Sequence, residues 1–60
     1  MSTTVLIVED HQALAQTIAD HLEMAGFIVD FAADGLTGLH LAVTNPYDAI
    51  ILDVMLPGID

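Results

Sequence analysis

Apolar residues follow two different spacings along this chain, and each change of spacing marks a predicted element. Residues 4–8, Thr-Val-Leu-Ile-Val, form a short run without a charged residue, which is typical of a strand covered on both faces. Residues 11–25 change to helical spacing, and we expect Asp10 to cap this helix and Gly26 to end it in a left-handed turn. The predicted inward face consists of Leu14, Ile18, Leu22 and Ala25, with Ala15 beside them.

The middle of the chain predicts a second strand and a second, shorter helix. Residues 27–32 are rich in residues that favour strands, and the charged Asp30 among them suits an edge position. A turn at residues 33–35 leads to a helix over residues 36–43, which Asn45-Pro46 ends. On this helix we expect four placements: Leu39 and Ala42 inward, Gly38 in close approach to the sheet, and Leu41 toward solvent.

A third apolar run stops at an acidic residue. Residues 49–52, Ala-Ile-Ile-Leu, lead into Asp53, and Pro57-Gly58 then forces a turn. The whole pattern is therefore β-α-β-α-β, with connections that suit right-handed parallel crossovers in an α/β fold. Because the first strand is apolar throughout while the second carries a charge, we expect the strand order 2-1-3.

Composition and charge narrow the class of protein. Sixty residues suffice for one small domain, and a hydrophobic content of 55% is higher than a disordered tail carries. Nine Asp and Glu face no Lys or Arg, which gives a net charge of −9 and argues against direct binding of nucleic acid or anionic lipid. The chain has no Cys, no run long enough to span a membrane and no basic leader, so we expect a cytoplasmic protein.

Three acidic residues are predicted to meet at one edge of the sheet. Glu9 and Asp10 follow the first strand and Asp53 ends the third, and adjacent parallel strands have their carboxyl ends at the same edge. Converging carboxylates repel one another, and the only basic side chains are three histidines, so a hard divalent cation such as Mg²⁺ is favoured. Asp53 is then the candidate nucleophile for phosphoryl transfer, and Glu9 and Asp10 are candidate metal ligands.

The plainer interpretation of these acids is structural. Asp10 alone would serve as a helix cap and Asp53 as a strand terminus, and both are common uses of aspartate. His11 is expected to be a solvated residue of the first helical turn, and His21 and His40 are too scattered for a zinc site. No G-x-G-x-x-G follows the first strand, which argues against a dinucleotide-binding domain.

Two segments carry a more specific pattern: residues 5–10, Val-Leu-Ile-Val-Glu-Asp, and residues 50–60, Ile-Ile-Leu-Asp-Val-Met-Leu-Pro-Gly-Ile-Asp. With Asp34-Gly35 and Tyr47-Asp48, they make the chain resemble the receiver domain of two-component response regulators. The resemblance implies a flavodoxin-like, doubly wound parallel sheet with five strands. It also implies that these residues, 1–60, form the N-terminal half of such a domain, with no second domain among them.

The resemblance assigns roles to the site residues. Asp53 is similar to the phosphoacceptor, Asp10 to a direct Mg²⁺ ligand and Glu9 to an acidic partner that acts mostly through water. The backbone carbonyl of Met55 resembles a third protein ligand, and Pro57-Gly58 the turn of the following loop. The implied phosphodonor is a sensor histidine kinase. Residues 47–60 are most similar to regulators with a winged-helix DNA-binding output, which implies a transcriptional regulator rather than an enzyme.

Three features of complete receivers are not among these sixty residues: the Ser or Thr after strand four, the aromatic residue of strand five and the phosphate-contacting Lys. We therefore expect an acidic metal-binding cluster with impaired phosphorylation chemistry. One alternative is a truncated fragment that self-associates through the exposed edge of strand 49–53. A Mg²⁺-dependent hydrolase with an aspartyl nucleophile fits less well, because Met55 stands where that family has a second acid.

Overall fold

The structure is a computed structural model that describes residues 3–52. Its elements in chain order are β1 (Thr4–Val8), α1 (Gln12–Met24), β2 (Ile28–Ala32), α2 (Gly35–Thr44) and β3 (Ala49–Leu52). This confirms the predicted β-α-β-α-β order, and each boundary within the described range falls at or next to its predicted position. None of the helices in this part of the chain has the length and apolar character needed to cross a membrane.

The three strands form one parallel sheet in the predicted order, β2-β1-β3. On one side, β1 pairs with β2 from Thr4 opposite Ile28 to Val8 opposite Ala32. On its other side, β1 pairs with β3 from Val5 opposite Ala49 to Val8 opposite Leu52. β1 is thus the central strand of the described sheet, and the charged β2 lies at its edge, as predicted.

The core lies on both faces of β1, because alternate residues of a strand point to opposite sides. Leu6 and Val8 pack with Ala32 on the face that α2 covers, and Ile7 packs with Ala15 and Ala19 of α1 on the other face. The two largest fully buried side chains are Leu6 and Ile7, neighbours in sequence that serve opposite layers. One helix on each face is the arrangement of a doubly wound fold.

The inward face of α1 differs from the predicted one. Ala15 and Ala19 are buried, Ile18 and Leu22 pack beside them, and Leu14 is 47% exposed. The predicted inward positions of Leu14 and Ala25 are therefore wrong, because Ala25 is also exposed. Two alanines four residues apart let the helix lie close to the sheet, and the larger side chains then flank that line of contact.

The first helix begins one residue later than a cap at Asp10 requires. His11 is the N-cap, and its Nδ1 accepts a hydrogen bond from the Leu14 amide at 3.2 Å. The predicted Asp10 cap is therefore wrong, since the helix begins at Gln12 and the capping side chain must come immediately before it. Gly26 has φ +96° and follows the helix end, which confirms the predicted left-handed termination.

The second helix packs on the sheet through Gly38. A Cβ atom at Gly38 would lie 2.8 Å from Cγ2 of Val8, which confirms the predicted close approach. Ala42 packs inward as predicted, but Leu41 also contacts the core while Leu39 is 62% exposed, so those two predictions were wrong. The contact at Gly38 sets which side faces the sheet, and Leu41 and Ala42 lie one turn further along that side.

Side chains fix the connections around α2. The Asp34 carboxylate caps the helix by accepting from the Thr37 amide at 2.7 Å, and this hydrogen bond lowers the pKa of Asp34. Beyond the helix, the Tyr47 hydroxyl donates to Asp30 Oδ2 at 2.8 Å. Asp30 lies on β2, at the edge of the described sheet, as its charge predicted.

The third strand is the least covered element of the described sheet. All four residues of Ala49–Leu52 are exposed, with β1 on one side. Self-association through the edge of strand 49–53 stays a prediction, because residue 53 lies outside the described part of the chain.

Candidate functional site

The carboxyl edge of the sheet is where the predicted acidic site should lie. Val8, the last residue of β1, pairs with Leu52, the last described residue of β3. Because the strands are parallel, the chain leaves both of them toward the same edge. The predicted Asp53 is the next residue after Leu52. Asp53, Met55, Pro57 and Gly58 themselves lie outside the described residues.

Glu9 is the buried member of the acidic pair. Its residue surface is 7% exposed, and its amide donates to the Ala32 carbonyl at 2.9 Å, so the residue continues the contact between β1 and β2. The His11 amide approaches Glu9 Oε2 at 3.4 Å. The backbone of Glu9 is thus bonded to β2 while its carboxylate is contacted by the His11 amide, which favours a fixed orientation at the sheet edge.

Asp10 is exposed and follows Glu9 directly. Since His11 caps α1, the structural interpretation of Asp10 as the helix cap is wrong. The Asp10 carboxylate is thus not used to satisfy the first turn of the helix. The pair consequently offers one buried and one exposed carboxylate at the end of the central strand.

An open cavity of about 200 Å³ borders Glu9. It lies between the start of α1 and the end of β2, and its lining includes Glu9, Gln12, Gln16 and Phe31. No described residue of β3 lines it. The cavity therefore lies on the β1–β2 side of the sheet, and it shares Glu9 with the predicted metal site.

Within residues 3–52, no three acidic, histidine or cysteine side chains are grouped so that they could hold a metal ion. The predicted set needs Asp53 as its third carboxylate, so the described residues contain only two of its acidic members. Two carboxylates are nevertheless a donor set that suits Mg²⁺, which takes one or two carboxylates and keeps several waters.

Comparison with known proteins identifies the family. The family described as the response regulator receiver domain matches residues 5–60 of the chain. The chain belongs to this receiver family. The described part of this receiver contains three strands in the predicted order 2-1-3, and the assignment of residues 1–60 to the N-terminal half of the domain stays a prediction.

Several curated response regulators are similar to this receiver. It is 55% identical over 56 residues to the transcriptional activator protein IrlR of Burkholderia pseudomallei, and 50% identical over 56 residues to the transcriptional regulatory protein CusR of Escherichia coli. It is also 50% identical over 58 residues to the response regulator ArlR of Staphylococcus saprophyticus. These matches cover 93% to 97% of the chain but 24% to 26% of the relatives. The chain thus spans about a quarter of their length.

One feature of the receiver's site was not predicted from the sequence, namely the capping role of His11. Sequence reasoning favoured Asp10 because aspartate is the commoner cap, and a neutral imidazole nitrogen can accept the same hydrogen bond. No local signal in the sequence identifies it, because Asp10 lies three residues before Ala13 just as His11 lies three residues before Leu14, whose amide donates to the His11 ring.

Proposed function

We propose that this receiver accepts a phosphoryl group on Asp53 from a sensor histidine kinase, with Mg²⁺ held by Glu9 and Asp10. The observation that carries the proposal is the parallel pairing of Val8 with Leu52. One further residue along each strand gives Glu9 and Asp53, so continuation of this register sets the proposed phosphoacceptor beside the acidic pair. The match to the receiver family supports the same assignment.

The chemistry follows from the positions of the acids. A carboxylate oxygen of Asp53 attacks phosphorus and forms an O–P bond, while the N–P bond of the phosphohistidine breaks and its electron pair returns to the imidazole. Mg²⁺, when bound, neutralises the carboxylates and the phosphoryl oxygens. The receiver's own residues orient the nucleophile and hold the cation in place.

The two members of the acidic pair suit different tasks. Glu9 is buried and its amide is bonded to β2, so it holds a fixed position at the edge. Asp10 is exposed and can bind the cation directly. By the family resemblance, the backbone carbonyl of Met55 supplies a further ligand, and Pro57-Gly58 forms the turn of that loop.

The parent protein is proposed to be a cytoplasmic transcriptional regulator, with residues 1–60 as the N-terminal half of its receiver domain. IrlR and CusR are named as a transcriptional activator and a transcriptional regulatory protein. With a net charge of −9, these residues repel the DNA backbone, so the proposed DNA contact belongs to another part of the parent protein. The receiver is then a phosphoacceptor in signalling, not an enzyme.

The test is phosphoryl uptake by the purified protein from a small phosphodonor such as acetyl phosphate. With Mg²⁺ we expect slow uptake, in keeping with the expected impairment, of an acid-stable, base-labile phosphoryl group, and Asp53→Asn abolishes it. Asp20→Asn is the matched control, since Asp20 is an exposed acid of α1 that contacts Gln16. Uptake that persists in Asp53→Asn, or that does not depend on Mg²⁺, would contradict the proposal.

A further inference from the structure

The register between β1 and β3 decides which residues meet at the acidic edge, yet the apolar side chains of the two strands do not fix it. Val5 to Val8 lie opposite Ala49 to Leu52, and every one of these eight residues is apolar. A one-residue slip is strongly opposed where polar and apolar residues alternate, because it exchanges the two faces. Here a slip would replace one apolar contact with another.

The described residues around β3 do not select the register either. All four of its residues are exposed, and the contacts of both helices with the described sheet are made to β1 and β2. A slip by one residue would nevertheless move the end of β3 by about 3.3 Å and turn its side chains to the other face. Asp53 would then no longer follow the strand beside Glu9.

A polar contact at the opposite end of β3 distinguishes the observed register from its neighbours. Asp48 Oδ2 accepts a hydrogen bond from the Thr4 amide at 2.8 Å, and the Asp48 amide donates to the Thr4 carbonyl at 2.8 Å. The second bond involves only backbone atoms of Asp48, so most residues could form it. The first needs a short side chain with an acceptor oxygen.

Neither neighbour of Asp48 could replace it after a slip. A shift by one residue would set Tyr47 or Ala49 opposite Thr4, and alanine has no acceptor while the tyrosine hydroxyl is engaged elsewhere. That hydroxyl donates to Asp30 of β2 at 2.8 Å, and the Tyr47 ring packs against the cluster of Leu6, Val8 and Ala32. Both residues before β3 thus hold it in one position relative to the other strands.

We propose that Asp48 is a positioning residue for the phosphoacceptor site: its bond to Thr4 selects the β1–β3 register that brings Asp53 beside Glu9 and Asp10. The inference rests on the function proposed above. Asp48 comes directly before β3 and Asp53 directly after it. Asp48 therefore contacts no reacting atom and affects Asp53 only by fixing the position of the strand between them.

Four variants of the protein distinguish an effect of the β1–β3 register from an effect of charge and from a general loss of stability. Asp48→Ala removes the acceptor, whereas Asp48→Asn keeps an amide oxygen in its place and removes only the charge. Thr4→Pro removes the donor from the other partner, at the first residue of a strand, where proline is tolerated. Asp20→Ala is the charge-matched control on α1.

Two measurements are made at a temperature at which the amide spectrum shows each variant fully folded. The first is the rate of phosphoryl uptake from acetyl phosphate at saturating Mg²⁺. The second is the nuclear Overhauser contact between Val8 and Leu52, which reports the register directly. We expect Asp48→Ala and Thr4→Pro each to weaken that contact and to lower the rate at least about threefold, as loss of one hydrogen bond allows. Asp48→Asn and Asp20→Ala should retain both the Val8–Leu52 contact and the rate of the unmodified protein.

Three results would overturn the inference. In the first, Asp48→Ala retains the Val8–Leu52 contact, whatever its rate. In the second, Asp20→Ala lowers the rate as much as Asp48→Ala, which would assign the effect to charge. In the third, Asp48→Asn fails to restore the contact. An unmodified protein that takes up no phosphoryl group overturns the proposed function instead, and the contact in Asp48→Ala still decides whether Asp48 sets the register.

Discussion

The first and third strands lie side by side, run in the same direction and are equally apolar where they pair, yet β1 is buried and β3 is exposed. The contrast is clearest in one cross-strand pair of identical residues: Ile7 is 0% exposed and Ile51, directly opposite, is 36% exposed. β1 has a strand on each side and a helix on each face. Burial in this sheet therefore depends on position and not on the composition of the strand.

The difference in burial between β1 and β3 matters for the proposed site because each strand ends directly before one of its acidic residues. Glu9 follows the buried strand and is itself buried, with its amide bonded to β2. Asp53 follows the exposed strand, which the described residues hold through its pairing with β1 and the contacts at its start. One half of the proposed site is thus preorganised by the core, and the other depends on the register of β3.

The largest expected effect is a difference between two identical substitutions. Ile7→Ala removes a fully buried side chain and should lower the free energy of unfolding by about 2–5 kcal/mol. Ile51→Ala removes a side chain that already contacts solvent and should cost about 1 kcal/mol. Urea denaturation of both variants and of the unmodified protein measures the difference. Equal losses would contradict the comparison and show that another part of the protein covers β3.

A smaller effect is expected where α2 touches β1. Gly38→Ala would bring a Cβ to 2.8 Å from Val8, and such overpacking costs about 1–3 kcal/mol, partly offset by the better helix propensity of alanine, about 1 kcal/mol. We expect a net loss of stability in thermal unfolding.

The double variant Gly38→Ala/Val8→Ala provides the control for that clash. It should lose less stability than the sum of the two single variants, because the shortened Val8 side chain leaves room for the new methyl group. Simple additivity would argue that α2 does not rest on Val8.

The smallest effect concerns the tyrosine before β3. Partial burial, and then the bond to the Asp30 carboxylate and its charge, raise the pKa of Tyr47 above its ordinary value of 10.0. The tyrosine therefore contributes stability that is complete below pH 10.0 and is lost as the pH rises through the raised pKa.

Tyr47 is the only tyrosine of the chain, so ultraviolet titration reports its ionisation directly. Asp30→Asn should bring the pKa back toward the ordinary value, and Tyr47→Phe should remove this alkaline step from the stability curve. A titration unchanged by Asp30→Asn would show that the hydrogen bond does not help to hold the start of β3.

The sequence predicted the elements and the strand order because those depend on local patterns. The unbroken run of β1 indicated a central strand, and Gly26 and Gly38 were assigned correctly because a left-handed turn and a close approach both require glycine. The predicted order made β1 and β3 parallel neighbours, but the register that pairs Val8 with Leu52 was not predicted.

The errors concern choices between residues one or two positions apart, which depend on tertiary contacts. Leu39 and Leu41 are equally apolar, and only the contact of Gly38 with Val8 decides which of them faces the sheet. Asp10 and His11 can both cap a helix, and the choice depends on the residue at which the helix begins after β1 ends. The positioning contact of Asp48 could not be predicted either, because nothing local indicates that its acceptor oxygen meets Thr4.

The central place of β1 has a consequence for biosynthesis. The ribosome makes β1 before either of its neighbours in the described sheet, and the second of them, β3, begins only at Ala49. Until then the nascent chain exposes an apolar strand with one unpaired edge, and such a strand promotes aggregation. These sixty residues contain no lysine or arginine, so neighbouring nascent chains carry the same negative charge over this segment and repel each other until β3 is made.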